Sequence, residues 1–240
     1  MNPNTSAKMT HEIGLVAKAA ASPASQVVTI SPERGAPSIE SFAEDIIASY
    51  HMFDAVLSRA GEFDAVVVAC FYDPGVEALK ELLDVPVIGI AEAAMHVASL
   101  LAPKFSVITV LKRGVHHVHE VVRRAGLESK CASVRGVELG VLDIEEDWGR
   151  ARAMIEAEAR AAIRDDGAEA IVLGCAGMGP LDKELQESLG LPVVDGVACA
   201  IPLAELCLNY GVTTSKTVTF AALASKDSDS LDPVLAGVYG

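Results

Sequence analysis

Two stretches of the chain carry the same hydrophobic pattern. Residues 62–70 read EFDAVVVAC, and residues 167–175 read GAEAIVLGC. In each, an acidic residue and Ala lead into a short run rich in β-branched residues that ends in a small residue and Cys. An unbroken apolar run of this length, bounded by turn residues, predicts a strand buried in a parallel sheet. The likeness continues downstream. ELLDVPVIGIAEAAMHVASLL begins at Glu81 and ESLGLPVVDGVACAIPLAELC at Glu187. Each contains a helix end, a short strand beside Pro86 or Pro192, a loop and an Ala-rich helix, with Ala91–Ala94 opposite Val197–Ala200. Matched half-chains predict duplicated βαβα units that face each other.

The remaining elements fit that plan. Gln26–Ile30 and Phe105–Leu111 read as strands, and Ser38–Arg59 and Arg150–Arg164 as helices. In the latter helix Glu156 and Arg160 stand four residues apart, so they can pair. Alternating strands and helices predict an α/β fold of two similar lobes. Each lobe has a mostly parallel sheet flanked by helices, a pseudo-two-fold relates the two, and the active site lies in the cleft between them. Lobe 1 is expected to comprise residues 1–100 and 205–225 and lobe 2 residues 101–204. The polar stretch from Ser225 predicts a flexible tail over 226–240.

Composition narrows the function classes. Hydrophobic residues make up 51% of the 240 residues and aromatics only 5%, so Ala, Val, Leu and Ile build the core. A net charge of −14 opposes contact with nucleic-acid phosphates. No run of 18 apolar residues is free of charge or breaks, and the first ten residues lack the pattern of an export signal. A cytoplasmic location, no membrane partner and five thiols outside any disulfide framework are therefore expected. The spacings of zinc sites are missing, and no metal is expected.

The chemistry sits at the ends of the two repeated strands. In parallel α/β sheets, ligands bind outside the carboxyl ends of strands, which is where Cys70 and Cys175 fall. Each precedes a turn, Cys70-Phe-Tyr-Asp-Pro-Gly or Cys175-Ala-Gly-Met-Gly-Pro. A helix is expected after each turn, and the partial positive charge at its N-terminus lowers a thiol pKa and cradles an oxyanion. A single buried cysteine is ordinarily a small hydrophobe. Two of them at matching places in a repeat predict an acid and a base on opposite faces of a carbon acid, exchanging roles as thiol and thiolate. Cys199 and Cys207 lie in an apolar helical stretch and read as core.

Other residues carry weaker readings. The turn Asn2-Pro3-Asn4-Thr5-Ser6 either caps a helix from Ala7 or holds a substrate amide. His116, His117 and His119 read as a solvated helix face rather than a metal site. Glu92 and Asp195 cap the helices that follow them or line the cleft, and Asp73 caps or shapes its turn.

The segments NPNTSAKMT at 2–10, VVACFYDPG at 67–75, VPVIGIAEAAMH at 85–96 and EAIVLGCAGM at 169–178, with SIES, FSVIT, LPVVDGV and TSK, resemble the hydantoin racemases of the aspartate/glutamate/hydantoin racemase superfamily. The resemblance runs up to Lys216. It implies a cofactor-independent homo-oligomer that racemises 5-monosubstituted hydantoins at C5, with Cys70 and Cys175 as the two bases. Asn4, Thr5, Ser6, Phe71, Thr109, Ala176 and Gly177 become the expected substrate-binding residues. Allantoin, or aspartate or glutamate, on the same site is the nearer alternative. A non-enzymatic thiol redox or binding protein is the alternative of another class. The sequence departs from the resemblance at three places. Met1 stands where relatives have a short apolar strand, Tyr72 where they usually have Gly, and the stretch after Lys216 is longer.

Overall fold

A computed structural model describes residues 1–222, 224 and 232–234 of the chain. In order along the chain, helix α1 spans Ala7–Ala20, α2 Phe42–Leu57, strand β1 Val66–Val68, α3 Val76–Leu82, β2 Val87–Gly89 and α4 Ile90–Leu101. Then follow β3 Phe105–Thr109, α5 Val115–Arg124, β4 Cys131–Gly136, α6 Asp143–Glu146, α7 Trp148–Asp166, β5 Ala170–Leu173, α8 Asp182–Leu189, β6 Val193–Asp195 and α9 Gly196–Tyr210. Apart from residues 232–234, the expected tail at 226–240 lies outside the described residues.

The strands form two parallel sheets. In one, β1 pairs with β2, Val66 opposite Val87 and Val68 opposite Gly89. In the other the order is β4-β3-β5-β6, and every pairing is parallel. β3 and β5 are buried along their whole length, as their continuous apolar runs require. The repeat is visible in space: β2 leads into α4 as β6 leads into α9, and the two helices cross between the sheets. A Cβ on Gly196 would stand 2.7 Å from the Ile90 carbonyl oxygen, so the crossing is close enough to require glycine. The pairing of Pro86 with Pro192 makes Ile90 and Gly196 equivalent residues, and they meet at the point where the lobes are related. Beyond α9 the chain runs back along the first sheet's periphery. Thr213 Oγ1 donates to the Asp84 carbonyl at 2.7 Å, and Lys216 Nζ donates to the carbonyls of Lys80 and Glu81, each at 2.9 Å.

Local signals set the helix ends. Ser6 Oγ accepts from Met9 N at 3.1 Å and starts α1, and Ser41 Oγ accepts from Glu44 N at 3.3 Å and starts α2. Gly167, with φ of 73°, ends α7 in the left-handed conformation. Within α7, Arg160 Nη2 lies 2.6 Å from Glu156 Oε1, the expected pair.

Two expected elements differ. Gln26–Ile30 is extended but joins no ladder. Its neighbour is the start of the chain: Met1 N donates to the Val67 carbonyl at 2.8 Å, Ala69 N to the Met1 carbonyl at 2.8 Å, and Asn2 N to the Ile30 carbonyl at 2.9 Å. Met1 and Asn2 thus bridge β1 to residue 30. The helix expected over Ser38–Arg59 begins only at Phe42, because Ser41 takes the extended conformation of an N-cap. Among the described residues no helix is long and apolar enough to cross a membrane.

Candidate active site

β1 and β5 deliver Cys70 and Cys175 to one small cavity, which Asn4, Phe71, Tyr72, Thr109 and Ala176 also line. Its volume is about 40 Å³, room for about three waters. Met9, Ile39, Ala69, Val110, Val141 and Gly174 complete the wall. Among the described residues, none of those lining the cavity is Asp, Glu, Lys, Arg or His.

The Cys70 turn is tight. Asp73 N donates to the Cys70 carbonyl at 3.0 Å, and Asp73 itself has φ of 49°. α3 starts only at Val76, and its first residues, with Asp73, Glu92 and Arg124, line a separate cavity of about 260 Å³. The helix N-terminus expected to act on Cys70 therefore faces elsewhere. The expected lowering of the thiol pKa is reversed at this residue. Burial pushes the Cys70 thiol well above its ordinary value, a hydrogen bond from the Tyr72 backbone N–H pulls the other way, and the charges of Asp45, Cys175 and Asp73 add to the rise. At neutral pH Cys70 is a thiol.

The Cys175 turn is built differently. Gly174 N donates to the Ile108 carbonyl at 2.8 Å, and a Cβ at Gly174 would come within 2.9 Å of that oxygen. Glycine lets the backbone between β5 and Cys175 press against β3. A 3₁₀ turn over Ala176–Leu181 follows at once, with Met178 N donating to the Cys175 carbonyl at 3.0 Å. Gly177 lies beside the sulfur: a Cβ there would be 3.7 Å from Cys175 Sγ.

The first loop reaches the cavity through one residue of its three. Asn4 is buried and lines the wall. Its Oδ1 accepts from Asn2 Nδ2 at 2.8 Å and from Ser6 N at 2.9 Å, while its Nδ2 points at Met9 Sδ, 3.1 Å away. Thr5 and Ser6 are not in the wall; Thr5 N donates to the Ala36 carbonyl at 3.0 Å, and Ser6 caps α1. Thr109, the last residue of β3, is buried and its hydroxyl lies 3.4 Å from the Gly174 carbonyl.

Tyr72 forms one wall and heads a stack of rings. Its ring lies 3.9 Å from that of His117 at 16°, and His117 lies 4.3 Å from Phe42 at 21°. His116 and His119 are solvated as expected, but His117 is buried. It shares the inward face of α5 with Val118, Val121 and Val122. Burial, then the charges of Arg124 and His116, push His117 down to about 4, so the stacked ring is neutral at pH 7. Burial also raises Asp45, whose Oδ2 lies 3.8 Å from His117 Nε2, to about 6. The sequence hid this cluster because it joins three separate elements. Asp195, by contrast, takes the first of its two expected roles and caps α9, with Oδ1 accepting from Ala198 N at 2.8 Å.

The Asp/Glu/Hydantoin racemase family profile matches residues 1–204. A hydantoin racemase of Rhizobium meliloti is 42% identical, covering 92% of this chain and 92% of its own. One from Paenarthrobacter aurescens is 39% identical, covering 92% and 94%. The crystal structure of allantoin racemase from Pseudomonas fluorescens superposes with a TM-score of 0.92 at 41% identity, over 95% of this chain and 97% of that one. The sequence repeat, the paired parallel sheets and these likenesses agree: the chain belongs to the Asp/Glu/Hydantoin racemase family, and it is an isomerase of the racemase type.

Proposed function

We propose that the protein racemises 5-monosubstituted hydantoins by proton transfer between C5 and two cysteines. The observation that carries this is the uncharged cavity holding both sulfurs. A free amino acid brings an ammonium and at least one carboxylate, and burying these without partners costs several kcal/mol each. A hydantoin is neutral, planar and already acidified at C5 by its carbonyl. The thiolate of one cysteine takes the C5 proton and becomes a thiol. The thiol of the other gives a proton to the opposite face and becomes a thiolate. The substrate is inverted and the pair has exchanged states. Asn4 Nδ2 points at the Met9 thioether, a weak acceptor, and a ring carbonyl brought beside it takes the bond in its place. Backbone N–H groups of the two cysteine turns hold the other ring oxygens. The same reading makes the protein a cofactor-independent, cytoplasmic homo-oligomer.

The test follows optical rotation of single enantiomers of 5-isopropylhydantoin, allantoin and glutamate. Decay of the hydantoin's rotation above the buffer rate is expected, and decay of glutamate's alone would overturn the proposal. Allantoin is the second reading, favoured by the superposition on an allantoin racemase. The apolar side chains of Met9, Ile39, Val110 and Val141 in the wall weigh toward an apolar C5 substituent over a ureido group.

Tyr72 limits that substituent. The residue is 6% exposed and lines the cavity. Tyr72→Ala is expected to open the cavity toward His117 and to raise kcat/KM for 5-benzylhydantoin relative to 5-methylhydantoin by about tenfold. An unchanged ratio places the substituent elsewhere.

A further inference from the structure

Each lobe buries one carboxylate at the start of its central helix, but the two come from different elements. In lobe 2, Asp195 ends β6 and caps α9 from the N-cap position, accepting from Ala198 N. The equivalent residue in lobe 1 is Gly89, which has no side chain with which to cap α4. The backbones match, with φ and ψ of −84° and 140° at Gly89 and −92° and 136° at Asp195. The missing carboxylate is supplied by Asp73, whose Oδ1 accepts from Ala91 N at 3.0 Å and Oδ2 from Glu92 N at 2.8 Å. Glu92 N in α4 corresponds to Ala198 N in α9, so the same N–H is satisfied in both lobes. A Cβ on Gly89 would stand 2.3 Å from Asp73 Cγ, so one carboxylate excludes the other. The exchange has a counterpart in lobe 2, where a Cβ on Gly179, in the turn after Cys175, would stand 3.1 Å from Asp195 Oδ2.

The consequence differs between the lobes. Asp195 ties α9 to its own strand. Asp73 ties α4 to the turn that carries Cys70, and Arg124 Nη2 holds the same turn through the Tyr72 carbonyl at 2.8 Å. We propose that Asp73 is a positioning residue for Cys70: its carboxylate, taking the place of the cap that Gly89 lacks, fixes the Cys70 turn against α4. This rests on the two-cysteine reading above.

The swap itself provides the test. Asp73→Ala removes cap and tether together. Asp73→Ala with Gly89→Asp restores the cap in the lobe 2 arrangement and leaves the Cys70 turn untied. Three measurements are made on each protein: Tm, kcat for a hydantoin, and the ratio of iodoacetamide labelling at Cys70 to that at Cys175 by mass spectrometry. The single variant is expected to lose a few degrees of Tm and about 10²-fold in kcat, the cost of a misplaced reacting group. The double variant recovers Tm while kcat stays low. In both, Cys70 labels faster relative to Cys175 by about tenfold, the scale of losing the hydrogen bonds that hold its turn to α4. Asp73→Asn keeps one carbonyl oxygen for the α4 N–H groups and restores most of the kcat. Recovery of kcat together with Tm in the double variant makes Asp73 a cap only and overturns the proposal. So does an unchanged labelling ratio, which is read without substrate. Failure of the wild type to turn over any ring instead defeats the racemase reading and leaves the labelling result to decide the tether.

Discussion

Replacing either Cys70 or Cys175 by alanine is expected to cut racemisation by about 10³-fold, the scale of losing a general acid or base, while sparing proton exchange at one face. The two sulfurs share a cavity, and the charge of one acts on the other. On the proposed mechanism, the proton removed from one face stays on its cysteine while the other cysteine delivers a solvent-derived proton. In D₂O the product enantiomer should therefore carry deuterium early, while the remaining substrate still carries protium. The Cys175→Ala protein keeps Cys70 as its one base. It should wash deuterium into one enantiomer without inverting it, and Cys70→Ala should do so for the other. Proton NMR at C5 combined with chiral chromatography reads both quantities. A variant that still inverts at the wild-type rate, or exchanges both enantiomers equally, defeats the two-base mechanism. The raised thiol pKa of Cys70 adds a condition. If both directions use the pair with one proton removed, as proposed, kcat/KM for the two enantiomers rises together on the acid side as pH rises.

Much of this site was legible because its signals are local or repeated. The strand runs before Cys70 and Cys175 singled out these two cysteines, and both line one cavity. Ser6 announced its helix by cap chemistry alone. What stayed hidden depends on contacts between distant segments. β4, with its sequence CASVRG, shows little alternation because it is an edge strand. Its Arg135 Nε pairs at 2.6 Å with Asp166 Oδ2 at the end of α7. His117 reads as one of three solvated histidines until Tyr72 and Phe42 close on it. The direction of the Cys70 shift was misjudged because a turn of five residues separates the thiol from α3, and burial then outweighs the helix end. The Asp73 and Gly89 exchange is invisible to the repeat itself, which aligns Asp73 with Met178 and Gly89 with Asp195.

The second large effect is expected at Gly196, where the lobes meet. α4 touches β5 and β6 as well as its own sheet, and α9 touches β1 and β2. The two helices therefore set the spacing between the sheets that carry Cys70 and Cys175. A Cβ on Gly196 would stand 2.7 Å from the Ile90 carbonyl oxygen and 2.9 Å from Ile90 Cβ, and neither can swing aside as a flexible side chain can. Gly196→Ala must separate the helices, and overpacking of this kind costs about 1–3 kcal/mol. On the proposed mechanism the two sulfurs bracket one flat ring, and a shift near 1 Å is then expected to lower kcat about 10²-fold. Gly149→Ala is the control. Gly149 lies exposed in the first turn of α7, where a Cβ meets nothing closer than Asp147 Oδ1 at 3.5 Å. That change should leave kcat alone and raise stability slightly, since alanine favours a helix over glycine by about 1 kcal/mol. Urea unfolding and kcat on the same preparations separate the two effects. If Gly196→Ala loses stability but keeps its kcat, the helix crossing supports the fold without setting the distance between the cysteines.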